Sequence, residues 1–154
     1  MNRSILGFAN LLLAALVIGT VFGIWLGYDP SGLSAAAWVE QQQHAVSALN
    51  TILPALGAVT IALTLASAVL ARGDRRAFAS LLCACACFVA VGLVTRFENQ
   101  PINAIVLGWS PSAPPLDWTA WRDRWWHWHE LRAGLGVAGL SLLIAGQLAL
   151  ARRG

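Results

Sequence analysis

The sequence predicts an all-α integral membrane protein, a four-helix transmembrane bundle, and three observations carry that expectation. Hydrophobic residues fill 58% of the 154 positions and charged residues 11%, with a mean hydropathy of +0.65, outside the usual range of water-soluble globular chains. Four stretches, residues 5–27, 53–71, 77–95 and 133–151, contain no Asp, Glu, Lys or Arg. Each is long enough to cross roughly 30 Å of hydrocarbon at about 1.5 Å per residue, and helices are the open-chain way to satisfy every backbone donor and acceptor in lipid. Third, the arginines sort by side. Arg3, Arg72, Arg75, Arg76, Arg152 and Arg153 flank the N-terminus, the second loop and the C-terminus, which an even number of spans places together.

That side is expected to be the cytoplasm of a bacterial plasma membrane, with both termini in it. The first span follows Met1-Asn2-Arg3, yet its apolar run exceeds the ~7 to 15 residues of a signal-peptide core, and no convincing small-residue cleavage site follows. It therefore reads as a spanning helix. Gly19, Gly23 and Gly27 form a smooth stripe along it, suited to close helix packing within one chain or between two, so a homo-oligomer stays open. Tyr28 follows directly and reads as an interfacial belt residue, with a pocket hydroxyl as the alternative.

Helix two is expected to begin outside the bilayer near Ser34 and to enter it with a kink at Pro54, because residues 34–53 contain no breaker. Cys83, Cys85 and Cys87 on the third span alternate faces and cannot converge on one metal, so they read as small apolar filler. Residues 98–116 hold Pro101, Pro111, Pro114 and Pro115 and are expected to form an irregular cap between helices three and four. Helix four should start near Asp117 and continue unbroken through its span, again projecting beyond the bilayer. The whole chain, residues 1–154, reads as a single domain, and no basic run points to nucleic acid.

The chemistry-bearing residues gather at the side opposite the topological arginines. At about 100° per residue, Trp118, Arg122, Trp125, His129, Arg132 and Gly136 fall within roughly 80° of one another. Cations beside flat aromatic walls suit a planar, electron-rich or anionic ligand. His127 points away and reads as solvated. The end of helix three adds Arg96, Asn99 and Asn103, which share a face if the helix persists past Pro101. Such a cluster binds a ligand or merely locks helix ends together. A metal or haem held by His44, His129 and Glu98 is the lesser alternative, since no recognised ligand spacing is present.

The order Asn99-x-Pro101-Ile102-Asn103, then Trp109, then Asp117-Trp118 with Arg122, Trp125, His129 and Arg132 as R-x-x-W-x-x-x-H-x-x-R resembles the anthrone oxygenase-like family of small four-helix membrane proteins. The motif match runs over about residues 96 to 136, and Ala133 stands where that pattern has threonine. The resemblance implies oxidation of an anthrone, a small hydrophobic aromatic substrate, to a quinone with O2 as co-substrate and no metal or flavin cofactor. It further implies His129 as base, Arg122 or Arg132 as oxyanion partner, Asn99 and Asn103 as hydrogen-bond donors to the substrate, and Trp118 and Trp125 as ring walls. The rival reading is a non-enzymatic membrane protein whose polar cluster is structural or binds a lipid or partner. A transporter is disfavoured because the spans carry no mid-membrane ionisable residue except the cysteines.

Overall fold

The computed structural model describes residues 3–152, so Arg153 of the topological set lies outside the described residues. Its elements are α1 (Arg3–Gly27), a 3-10 turn (Pro30–Gly32), α2 (Ala35–Leu49), α3 (Ile52–Leu70), α4 (Arg75–Val94), a π-helical turn (Thr95–Asn99), α5 (Gln100–Leu107) and α6 (Trp118–Ala151). Among the described residues there is no strand beyond one isolated bridge between Ser110 and Ala113. Four helical segments, Ser4–Gly32, Ile52–Leu70, Arg75–Leu107 and Trp118–Ala151, are long and apolar enough to cross a membrane. They fit an integral membrane protein. Ile5, Phe8, Leu12 and Leu16 on α1 stand exposed at helical spacing, as a lipid-facing stripe must.

The four long helices close a ring in which α1 packs on α3 and α6, and α4 packs on the same two. Small residues set the approach distances at the end where α3 turns into α4. Ala68, Ala71, Ala77 and Ala84 are buried there around Leu81 and Leu143. A Cβ on Gly139 would sit 2.7 Å from Phe88 Cε1, and one on Gly146 2.8 Å from Leu81 Cγ, so α6 touches α4 only because both positions lack side chains. Asp74 begins α4 by accepting the Arg76 and Ala77 amides on Oδ1. By contrast, a Cβ at Gly19, Gly23 or Gly27 meets nothing within 4 Å, so the α1 stripe faces outward.

Two local expectations need correction. Instead of one continuous helix kinked at Pro54, the helical ladder is interrupted at Asn50 and Thr51, both still in the right-handed region, and α3 starts afresh with Pro54 in its first turn. The ring of Pro54 would clash with the carbonyl four residues earlier and offers no amide proton, whereas a first turn needs none there. The proposed irregular cap is also half helical. The π-helical turn over Thr95–Asn99 widens the helix just before Pro101, which then occupies the first turn of α5, so only the stretch after Leu107 is irregular. Helix four runs unbroken for 34 residues as expected.

Candidate active site

A cavity of about 270 Å3 lies between the first half of α3, the second half of α4 and α1, closed above by α2, α5 and α6. Its size is close to the roughly 300 Å3 at which small-molecule pockets begin. The lower walls are apolar: Val17, Val21 and Ile24 from α1, Ile61 from α3, Phe88 and Val91 from α4. No carboxylate lines it, but Arg96 and Arg132 do, and neither is ion-paired among the described residues. The space is therefore greasy at one end and cationic at the other.

The upper wall is a directed chain of hydrogen bonds. Tyr28 Oη donates to Gln42 Oε1 at 3.1 Å, and Gln42 Nε2 donates to Asn103 Oδ1 at 3.0 Å. Trp125 Nε1 donates to the same Asn103 oxygen at 2.9 Å, while Asn103 Nδ2 donates to Asn50 Oδ1 at 2.9 Å. This fixes both amide orientations: the Trp125 indole can only donate, so it must face Asn103 Oδ1, and that oxygen in turn requires Gln42 to present its Nε2. The helix break at Asn50 and the π-helical turn before Asn103 aim these amides at one another. Gln42 is fully buried although α2 is otherwise apolar on that face, between Trp38, Val39 and Val46.

Arg132 and His129 form the inner corner. Arg132 donates from Nε at 3.1 Å and from Nη2 at 2.8 Å to His129 Nδ1, and from Nη1 to Thr95 Oγ1 at 3.4 Å. A guanidinium has no acceptor, so Nδ1 is unprotonated and the ring proton sits on Nε2. His129 is wholly buried and stacks on Trp125 at 5.1 Å and Trp126 at 5.4 Å between ring centroids. Its Nε2 lies buried against α1 without a hydrogen bond of good geometry.

The residues singled out in the sequence thus divide. Arg96, Asn103, Trp125 and Arg132 line the cavity; His129 reaches it only through Arg132 and Trp125. Asn99 is buried behind the wall, where its Nδ2 donates to the Trp125 carbonyl at 3.1 Å. Trp118 and Arg122 stand further out: the guanidinium lies 5.0 Å from the Trp118 ring and pairs with Asp123 at 2.7 Å, while Trp118 packs on Trp38. Tyr28, expected in the belt, contributes its hydroxyl to the cavity. Gln42, Asn50, Thr60, Thr95 and Gln100 complete the polar lining and were not anticipated. The signal for Gln42 was present, because positions 39, 42 and 46 share one helical face and the other two are valines.

Among the described residues no three His, Cys, Asp or Glu side chains come together as a metal site. His44 is exposed, and Glu98 instead accepts Arg124 at 3.0 Å. Cys85 is buried, Cys87 half-buried and Cys83 exposed, each a free thiol. No curated protein and no solved structure matches the sequence. A family model described as anthrone oxygenase matches residues 43–142. That stretch begins on α2 beside Gln42 and ends within α6, so it takes in Asn50, Arg96, Asn103, Trp125, His129 and Arg132. As it spans well over half of the 154 residues, the chain belongs to the anthrone oxygenase family.

Proposed function

We propose that the protein is a membrane-bound oxygenase that converts an anthrone-like phenolic substrate to its quinone with O2 and without a bound cofactor. The observation that carries this reading is the cavity: apolar walls of a size for a small polycyclic ligand, with two unpaired arginines and a hydrogen-bonded amide wall at one end. The methylene of such a substrate is acidic because its anion is delocalised onto the ring oxygen. Arg132 stabilises that oxyanion, with Arg96 adding positive charge at the cavity edge. As the Arg132 guanidinium turns to the oxygen it leaves His129 Nδ1, which then takes the methylene proton as general base. Trp125 supplies a ring wall and Asn103 orients the substrate oxygens; Asn99, Trp118 and Arg122 hold that wall in place.

The carbon and electron balance closes without a further reductant. The carbanion adds O2, forming one C–O bond as the dioxygen unit takes up two electrons, and the proton held by His129 passes to the peroxide. Loss of the remaining hydrogen on that carbon then breaks the O–O bond and releases water, so that CH2 and O2 become C=O and H2O. We further place the Arg72, Arg75, Arg76 and Arg152 end in the cytoplasm, which sets the cavity on the opposite side of a bacterial plasma membrane.

A second reading has its own support. His129 bonds Arg132 and stacks on two tryptophans, and Asn99 holds the Trp125 carbonyl, as in a network that only locks helix ends. Oxygen uptake and quinone formation by the detergent-solubilised protein with a simple anthrone, beside His129→Ala and a metal analysis of the same sample, separates the two. Quinone formed in step with oxygen uptake and lost in a folded His129→Ala variant is expected. A folded wild-type protein without turnover, whose variant merely melts earlier, leaves the locking network.

A further inference from the structure

The cavity has a side door. Of the residues that line it, those from α1, α2, α5 and α6 are buried or half-buried, and the exposed ones are Ala58 on α3, Gly92 on α4 and Arg96 on the π-helical turn that follows α4. All three lie on one seam. Toward the α3–α4 turn that seam is closed by buried Ala68, Ala77 and Leu81, whereas at cavity level its edges are Gly57 and Ala58 opposite Gly92. A Cβ at Gly57 meets nothing within 4 Å, and one at Gly92 touches only Ile61 Cδ1, at 3.9 Å. The opening is thus made by small side chains across from each other.

The surface of the helix beside this opening is apolar. Leu93 is 52% exposed and Phe97 66%, the pattern of a helix face turned to hydrocarbon rather than water. Arg96 follows Leu93 and precedes Phe97 at the outer edge, with no hydrogen bond or ion pair among the described residues, free to meet the polar end of an amphiphile. The other approach is shut. Trp38 and Val39 of α2 are buried against α5, where Gln43 Nε2 donates to the carbonyls of Val106 at 2.9 Å and Trp109 at 2.8 Å, and Tyr28 ties the end of α1 to Gln42.

We infer that the cavity takes its ligand sideways from the bilayer, through the α3–α4 seam at Ala58 and Gly92, with Arg96 receiving the polar end of a membrane-dissolved aromatic phenol. The ligand class rests on the proposed function; the route rests on the exposure pattern alone. A compound that partitions into lipid reaches such a seam already desolvated and at high local concentration. Its oxygens then pass from Arg96 at the mouth to Arg132 and the Asn103 amide inside.

The test uses the full chain reconstituted in phosphatidylcholine vesicles and alizarin, a dihydroxyanthraquinone that cannot be oxidised further at the ring methylene position. Binding is followed by its visible absorbance after rapid mixing. Gly92→Leu and Ala58→Leu, on opposite sides of the seam and both facing out, should slow association and release alike by about tenfold, within the one to three decades over which access changes association rates. Equilibrium affinity should stay within about twofold, and Gly23→Ala, on the outward face of α1 away from the cavity, should behave as wild type. The wild-type rate should follow the alizarin content of the membrane, not of the water. Unchanged rates in both leucine variants, a rate set by aqueous concentration, or no binding to folded wild-type protein overturns the proposal. Turnover is measured on the same vesicles with an anthrone: seam-dependent binding without turnover removes the oxygenase reading and keeps the side door.

Discussion

Arg132 points two donors at one atom of His129, Nδ1, at 3.1 and 2.8 Å, from three residues along the same helix. The spacing puts both side chains on one face of α6, and the buried ring has no other strong partner for that nitrogen. A base whose lone pair is held by a guanidinium idles until something draws the guanidinium away. In the proposed reaction the substrate oxyanion does so, which couples proton removal to correct placement of the oxygen.

Arg132→Gln separates these roles. It frees Nδ1 but removes the charge that stabilises the oxyanion, so turnover should fall by about 100- to 1,000-fold, the usual cost of losing one such donor. If Arg132 served only to hold His129 in place, a glutamine amide donating to Nδ1 would preserve most of the rate. Steady-state oxygen uptake over a range of anthrone concentrations distinguishes the cases, with the loss expected in kcat more than in KM.

Asn103 Oδ1 receives both Gln42 Nε2 and Trp125 Nε1, so it is the shared acceptor of the upper wall. Asn103→Leu should leave two buried donors unmatched, each costing about 1–3 kcal/mol. A thermal melt in detergent should show a clearly lower Tm than for Trp125→Phe, which removes one donor and keeps an aromatic wall. Equal melting of wild type and Asn103→Leu would mean that water already serves these donors.

Tyr28→Phe tests the far end of the same chain. The hydroxyl donates to Gln42 Oε1 at 3.1 Å, and its loss leaves one buried acceptor on the cavity wall. The expected destabilisation is about 0.5–1.5 kcal/mol, the net worth of an ordinary hydrogen bond. Because Tyr28 has no part in proton removal as proposed, quinone formation should persist; its abolition would make Tyr28 a participant in the chemistry.

Spans, long helix four and the Arg132–His129 face were legible because each follows from a period or a run within one segment. Hydrophobic length marks a span, and residues three and four apart must share a side. What was not legible depends on pairing between segments. Gln42 and Asn50 become cavity residues only because α2 ends at Asn50 and folds over α5. Arg122 and Trp118 lie on the same helical stripe as Arg132, yet about three and four turns further out, beyond the cavity, so an angular wheel cannot separate them. Pro54 and Pro101 announced a disturbance, but whether it would be a kink, a break or a π-helical turn depended on what the freed backbone and side-chain groups could reach.

Glycine offers a test of the packing that positions the site, since α6 presents Trp125, His129 and Arg132 only where it can approach α4. The Cβ of Gly139→Ala would lie 2.7 Å from Phe88 Cε1 and 3.0 Å from Cys87 Cβ, and Phe88 also forms part of the cavity wall. Overpacking of this kind costs about 1–3 kcal/mol, which outweighs the up to ~1 kcal/mol that alanine gains over glycine in a helix. Gly23→Ala, whose new Cβ meets nothing within 4 Å, should melt as wild type or slightly above it. If Gly139→Ala also tilts Phe88, alizarin affinity should drop together with Tm; a lower Tm with unchanged affinity would confine the damage to the helix contact. The reverse pattern, with Gly23→Ala the destabilised variant, would mean that the outward face of α1 is covered by another protein surface in the membrane.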